Sequence, residues 1–308
     1  MAQSTIRTDL AMEARESLTH TPHEDSGIEV TEDILSPGTI KQTTVKITTE
    51  NASASIGKPK GTYITLESGE MDLDDTQHHM CISQALSRIL LRFIAPQKEP
   101  VSILVVGLGN RNVTPDALGP NVIDQLHITR HLYNEFGNAA FSTPCKYLIS
   151  SIIPGVMGQT GMETSEIIKG IVKETNPDYV IVIDALAARS TKRLNRTIQI
   201  SDTGIHPGSG VGNHRNALTK ESLGRPVIAI GIPTVVDAAT IVADSLFLEQ
   251  GDELLEEVLV PGLRTMFVTP KDIDASVHRL SHIISDGLNR AFRIPFADNP
   301  LSNGQLLG

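Results

Sequence analysis

Two aspartates stand where apolar stretches give way to polar ones. Asp184 directly follows Tyr179–Ile183, five apolar residues that are mostly β-branched. Asp116 lies in GLGNRNVTPDALGP, the segment after Val101–Val106 (VSILVV). A carboxylate at the end of such a run sits where desolvation begins, so it needs partners or keeps its proton. Where two such carboxyls approach closely, like-charge repulsion raises one pKa above the other. One then stays protonated as general acid while the other acts as base toward a water. That pair meets the requirement for hydrolysis without a covalent intermediate. The alternative for Asp184 is a helix N-cap for the residues after it.

Other residues offer different chemistry. His206, in the glycine-rich loop Ser201–Arg215, would complete a carboxylate–carboxylate–histidine metal set with Asp116 and Asp184; alone, it reads as a surface or hydrogen-bonded histidine. Arg189 in DALAARS, and Thr234 and Asp237 in IPTVVDAAT, are neighbours of the aspartates at the same sheet edge. Gly107 and Gly109 suggest a nucleotide loop, but Asn112 stands where the dinucleotide fingerprint needs glycine, and no Gly-Lys-Ser/Thr follows. A tight strand-to-helix turn explains these glycines without a ligand. Ser209 is no nucleophile elbow, because Pro207 occupies the required glycine position. His78 and His79, ahead of a helix, are expected to face solvent.

These residues need elements to hold them. Thr43–Thr48 and Gly61–Glu67 alternate at period two and read as antiparallel strands, with Gly57–Gly61 as the turn between them. His78–Ile94 carries apolar residues at helical spacing and ends before Pro96. VSILVV is continuously apolar, as in a sheet covered on both faces. Strands at Tyr147–Ile153, Tyr179–Ile183 and Pro226–Ile230 alternate with helices near Leu118–Thr129 and Glu163–Glu174, and a last helix spans Asp274–Ala291. This pattern predicts an α/β fold whose sheet is mostly parallel and covered by helices on both faces, with an N-terminal antiparallel β extension over residues 28–70. In such sheets ligands gather at the carboxyl ends of the strands, where Asp116 and Asp184 fall.

The chain has 308 residues, a net charge of −10 and a pI of about 5.5. That balance argues against a nucleic-acid groove, which wants clustered Lys and Arg. No apolar run reaches the ~20 residues that span a bilayer, and the charged N-terminus is unlike a signal peptide. Cys81 and Cys145 give neither a disulfide framework nor zinc-ligand spacing, which points to a reducing compartment. Aromatic residues make up only 4% of the chain, with no tryptophan, against 24 glycines.

Several long segments in fixed order resemble the germination protease family of spore-forming bacteria. They are IRTDLAMEA (6–14), IGKPKGTYITLE (56–67), GLGNRNVTPDALGP (107–120), PGVMGQTGMETSEIIKGIV (154–172), DALAARS (184–190), ISDTGIHPGSGVGN (200–213), GIPTVVDAATI (231–241) and MFVTPKDID (266–274). The resemblance implies an atypical aspartic endopeptidase with an α/β fold similar to the hydrogenase-maturation peptidases, acting without cofactor or metal. Its two essential aspartates fall on Asp116 and Asp184. It further implies a zymogen that removes its own propeptide and degrades small acid-soluble spore proteins during germination. The enzyme is expected in the cytoplasm of the forespore and in the spore core, as a homotetramer with no membrane or direct nucleic-acid partner. The family's processing pattern is an acidic residue, an apolar residue, alanine and a further acidic residue. It fits Thr8–Glu13, so cleavage is expected between Asp9 and Leu10, leaving residues 1–9 as propeptide and 10–308 as one peptidase domain. Two other readings stay open: a metal-binding maturation-type peptidase on the same fold, and a non-catalytic module that holds a peptide.

Overall fold

The computed structural model describes residues 8–16, 27–35, 39–95, 98–206, 216–245, 263 and 266–293. The predicted segment Pro207–Arg215 of the glycine-rich loop, with Ser209, lies outside them.

The first elements are helix α1 (Ala11–Glu16), strands β1 (Ile28–Leu35) and β2 (Ile40–Ile47), helix α2 (Glu50–Ile56) and strand β3 (Gly61–Glu67). Helix α2 precedes the expected turn Gly57–Gly61 in the connection between the two strands. Thr49 caps it by accepting the Ala52 N–H, and Gly57 ends it in the left-handed conformation at φ 68°. Helix α3 (Thr76–Phe93) begins at Asp75, whose carboxylate accepts the His78 N–H at 3.0 Å. His78 does not face solvent as expected. It is buried in the first turn of α3, with Nε2 2.7 Å from the Ser68 hydroxyl.

There follow β4 (Val101–Gly107), α4 (Leu118–Asp124), α5 (Arg130–Phe136), β5 (Tyr147–Ile152), α6 (Met157–Thr160) and α7 (Thr164–Thr175). A capping box between Glu163 and Glu166 starts α7. The chain continues with β6 (Tyr179–Ala188), β7 (Thr197–Ser201), α8 (Lys220–Leu223), β8 (Val227–Asp237), α9 (Ala238–Ser245), β9 (Phe267–Val268) and α10 (Ile273–Ala291).

The strands form one sheet in the order β1-β2-β3-β7-β8-β6-β4-β5, with β9 added to β8. Only β8, β6, β4 and β5 run parallel; every other pairing is antiparallel. The expectation of a mostly parallel sheet is therefore corrected. The N-terminal antiparallel strands are not an appendage but half of the same sheet. They join it through β7, a five-residue strand that pairs with β3 on one side and β8 on the other.

Alternate residues divide the core. Ile181, Ile183, Ile228 and Ile230 pack with Leu86 and Leu90 of α3 and Leu280 and Ile284 of α10. Val180, Val182 and Val227 point the other way, toward Ile168 and Val172 of α7. Strands β6 and β8 also run on past the end of β4, which stops at Gly107 opposite Ile183. They stay paired to Ala188 and Val236 as a ribbon, with a register shift between Leu186 and Ala187. Asp184 is thus a mid-strand residue rather than the cap of a following helix.

Candidate active site

After β4 the chain passes through α4 and α5 to β5, on one side of β4, and then through α7 to β6, on its other side, so the order of the parallel strands switches between β4 and β6. Ligands in α/β sheets bind at that point, beyond the carboxyl ends. Asp116 follows β4 and Asp184 lies in β6. Both line a cavity of about 430 Å³, together with Gly109, Pro115, Thr234, Thr269 and Asp9.

Asp184 is only 6% exposed and shares its face with Val180 and Val182. Asp116 closes a one-turn 3-10 helix, Thr114–Asp116, that packs under the preceding loop. Its carbonyl accepts the Asn110 N–H at 3.0 Å. Gly109 makes this possible: its φ is +111°, and a Cβ there would lie 1.9 Å from the Asp116 carbonyl oxygen. The pair Gly107 and Gly109 thus serves close backbone approach, which needs no nucleotide.

The structure sorts the remaining candidates. Thr234 borders the aspartate cavity, and its hydroxyl donates to the Pro115 carbonyl at 2.7 Å, fixing the turn that carries Asp116. Asp237 is turned away to the start of α9, where it accepts the Thr240 N–H at 3.0 Å. The Arg189 side chain is not among the cavity walls; its N–H donates to Glu13 at 2.7 Å. His206 is exposed and lines a second, smaller cavity of about 70 Å³ with Asp184, apart from Asp116. Among the described residues no three His, Cys, Asp or Glu side chains converge as metal ligands. Cys81 and Cys145 are free thiols.

Residues 8–16 of the same chain lie across this site. Asp9 donates its N–H to the Ala187 carbonyl at 3.0 Å and receives the Ala187 N–H on its carboxylate at 2.9 Å. Its own carbonyl oxygen accepts from Lys58 Nζ and Gln199 Nε2, each at 3.1 Å. Leu10 is fully buried with Leu186, Ala188 and Val236 of the ribbon. Ala11 and Met12 pack with Val45, Ile47, Ala52 and Tyr63 of the antiparallel half. Glu13 reaches the N–H groups of Arg189 and Ser190 and the Arg193 guanidinium. Lys58 and Gln199 were not singled out by sequence reasoning. The only signal was a glutamine amid the apolar positions of Thr197–Ser201.

Two carboxylates line one cavity at the switch point of a mixed α/β sheet, and Asp9 of the same chain lines it with them. The model of a family described as germination protease matches residues 6–250. Germination proteases of Caldanaerobacter subterraneus, Priestia megaterium and Clostridium acetobutylicum are 44%, 41% and 41% identical to the chain. Each match covers 94% of this chain and 94%, 94% and 96% of the relatives. The chain belongs to the germination protease family, a family of peptidases. No described helix is long and apolar enough to cross a membrane.

Proposed function

We propose that this protein is a self-processing endopeptidase of the aspartic type, with Asp116 and Asp184 as its acid/base pair. In this reading it cleaves its own chain between Asp9 and Leu10 and then initiates degradation of small acid-soluble spore proteins during spore germination. One observation carries the reading: the arm that bears the processing pattern lies over the cavity that both aspartates line. Asp9, Leu10, Ala11 and Glu13 each meet a distinct surface, as the side chains of a substrate would.

The chemistry follows from the shared proton. Two carboxyls facing one cavity favour a state in which only one is ionised. The ionised member takes a proton from water as the water attacks the Asp9 carbonyl carbon. The protonated member delivers a proton to the Leu10 nitrogen as the peptide bond breaks. In this reading a fall in pH favours the singly protonated pair, so self-processing is expected to quicken on acidification.

Asp116→Asn and Asp184→Asn each leave the fold intact and abolish both shortening of the N-terminus and cleavage of protein substrate. Mass spectrometry of the N-terminus after incubation at mildly acidic pH reads the first effect. A near-normal processing rate in either variant defeats the dyad. A wild-type protein that never shortens at any pH would instead mark a non-catalytic peptide-binding module.

A further inference from the structure

The Asp9 carbonyl is gripped by two donors that no part of the dyad scheme uses. Resting on the reading that the Asp9–Leu10 bond is the one hydrolysed, we propose that Lys58 and Gln199 are catalytic residues. They bind the oxygen of the scissile carbonyl and stabilise the charge that develops on it.

Gln199 is placed by register. Across the sheet Asp184 pairs with Gly231, and Gly231 pairs with Gln199. Residues in one such row share a face, so the Asp184 and Gln199 side chains flank a glycine, two strand spacings or roughly 10 Å apart. Asp9 spans that strip, bonded to Ala187 of β6 on one side and Gln199 of β7 on the other. The amide is oriented from behind: its Oε1 accepts the Ala11 N–H at 2.7 Å, which turns Nε2 to the Asp9 oxygen. One side chain therefore grips the backbone on both sides of the Asp9–Leu10 bond.

Lys58 comes from the turn between α2 and β3. Its Nζ also meets the Thr8 carbonyl at 3.2 Å. Burial lowers its pKa, while Asp9 and Glu13 act in the opposite sense. Protonated or neutral, the nitrogen keeps an N–H for the carbonyl. Lys58, Gln199, Asp9 and Asp184 line one small cavity, so the donors and a member of the dyad meet at the same residue.

When water adds to the Asp9 carbonyl carbon, the new C–O bond displaces the π pair onto the oxygen held by Lys58 and Gln199. The departing water proton goes to a dyad carboxylate. As the tetrahedral species collapses, that pair returns, the C–N bond breaks and the Leu10 nitrogen takes a proton from the dyad. Fixed donors aimed at such an oxygen are worth roughly 10²–10³-fold in kcat when one is removed.

The test uses the full-length protein, with self-shortening followed by mass spectrometry and a peptide of residues 6–16 as substrate in trans. Lys58→Met keeps the apolar stem and Gln199→Glu keeps the acceptor for Ala11; each removes the donor. Each is expected to lower kcat, and the first-order rate of self-shortening, by roughly 10²-fold or more, with KM changed only a few-fold. Lys58→Arg, which retains a donor, recovers part of the loss. Unchanged thermal unfolding shows that the variants fold, and the glutamate variant stands as the check should Lys58→Met not. A kcat within about threefold of wild type in either donor-less variant, or a loss confined to KM, overturns the proposal. Wild-type cleavage at another bond would instead remove the reading beneath it.

Discussion

Glu13 is an acidic side chain at 2% exposure, which would be costly without compensation. It has compensation on every side: the Arg189 N–H at 2.7 Å, the Ser190 N–H at 3.0 Å, Arg193 Nη1 at 3.2 Å and the Thr8 hydroxyl at 2.5 Å. Burial pulls the Arg193 pKa down, but Glu16, Glu13 and Glu67 outweigh it and hold the guanidinium firmly protonated. In the proposed reading this is the recognition site for an acid four residues beyond the Asp9–Leu10 bond. Hydrogen bonds to a charged group contribute about 1.5–3 kcal/mol each way. In a substrate peptide of residues 6–16, glutamine in place of Glu13 should therefore raise KM roughly 10- to 100-fold. Because the contact is remote from the reacting carbonyl, kcat should move only a few-fold. Steady-state kinetics on the two peptides separate these effects; an unchanged KM with a depressed kcat would remove Glu13 as a binding determinant.

At the scale of elements, the two halves of the sheet divide the labour. The parallel strands β4 and β6 bring the aspartates, and the antiparallel half brings Lys58 and Gln199 to the other side of Asp9. Tyr63 in β3 packs with Ala11 and Met12 of the arm while its hydroxyl donates to the Pro59 carbonyl at 2.9 Å. Burial raises the Tyr63 pKa to about 12. An unfolded chain releases that proton near pH ~10 while the folded chain holds it, so stability is full below about pH 10 and falls as pH rises toward 12. The loss approaches about 3 kcal/mol, and Tyr63→Phe should remove this part of the alkaline decline while costing about 1 kcal/mol at neutral pH. Chemical denaturation at pH 9 and 11 on both proteins checks it; equal slopes would show that Tyr63 is not linked to folding. The sequence pattern revealed β4, α3, α7 and α10 because their apolar periods are uninterrupted. It failed where function interrupts them. Asp184 and the Gly231-Ile232-Pro233 stretch read as strand ends, yet β6 and β8 run on to Ala188 and Asp237. Strand β7 is too short, and too close to a glycine-rich loop, to announce itself, so the antiparallel continuity was hidden. Both aspartates were legible as carboxylates after apolar runs, although Asp184 lies within β6 rather than at its end. Lys58 and Gln199 were not, because only the sheet register brings Gln199 into one row with Gly231 and Asp184.

Over the whole molecule, the arm is bound on both sides of the bond it presents. Leu10 is fully buried against the β6–β8 ribbon, and Ala11 and Met12 against the antiparallel half, with Glu13 in its own site. Hydrolysis after Asp9 breaks none of these contacts. Burying a leucine and a methionine side chain is worth about 1.5–3 kcal/mol each, and the Glu13 bonds add to that. Residues 10–16 should therefore remain seated after cleavage and block the half of the groove that an incoming protein substrate must enter. In the proposed reading the newly shortened chain should become fully active only as this segment leaves. A synthetic peptide of residues 10–16, LAMEARE, should accordingly inhibit cleavage of substrate in trans, raising apparent KM without lowering the limiting rate. The same peptide with glutamine for the residue at Glu13 should inhibit roughly 10-fold less well or worse, by the same charged contacts. Enzyme assayed immediately after self-shortening should show a lag in substrate cleavage that addition of the peptide lengthens. Absence of inhibition at millimolar peptide, or inhibition that lowers the limiting rate alone, would mean that the segment does not compete for the substrate groove.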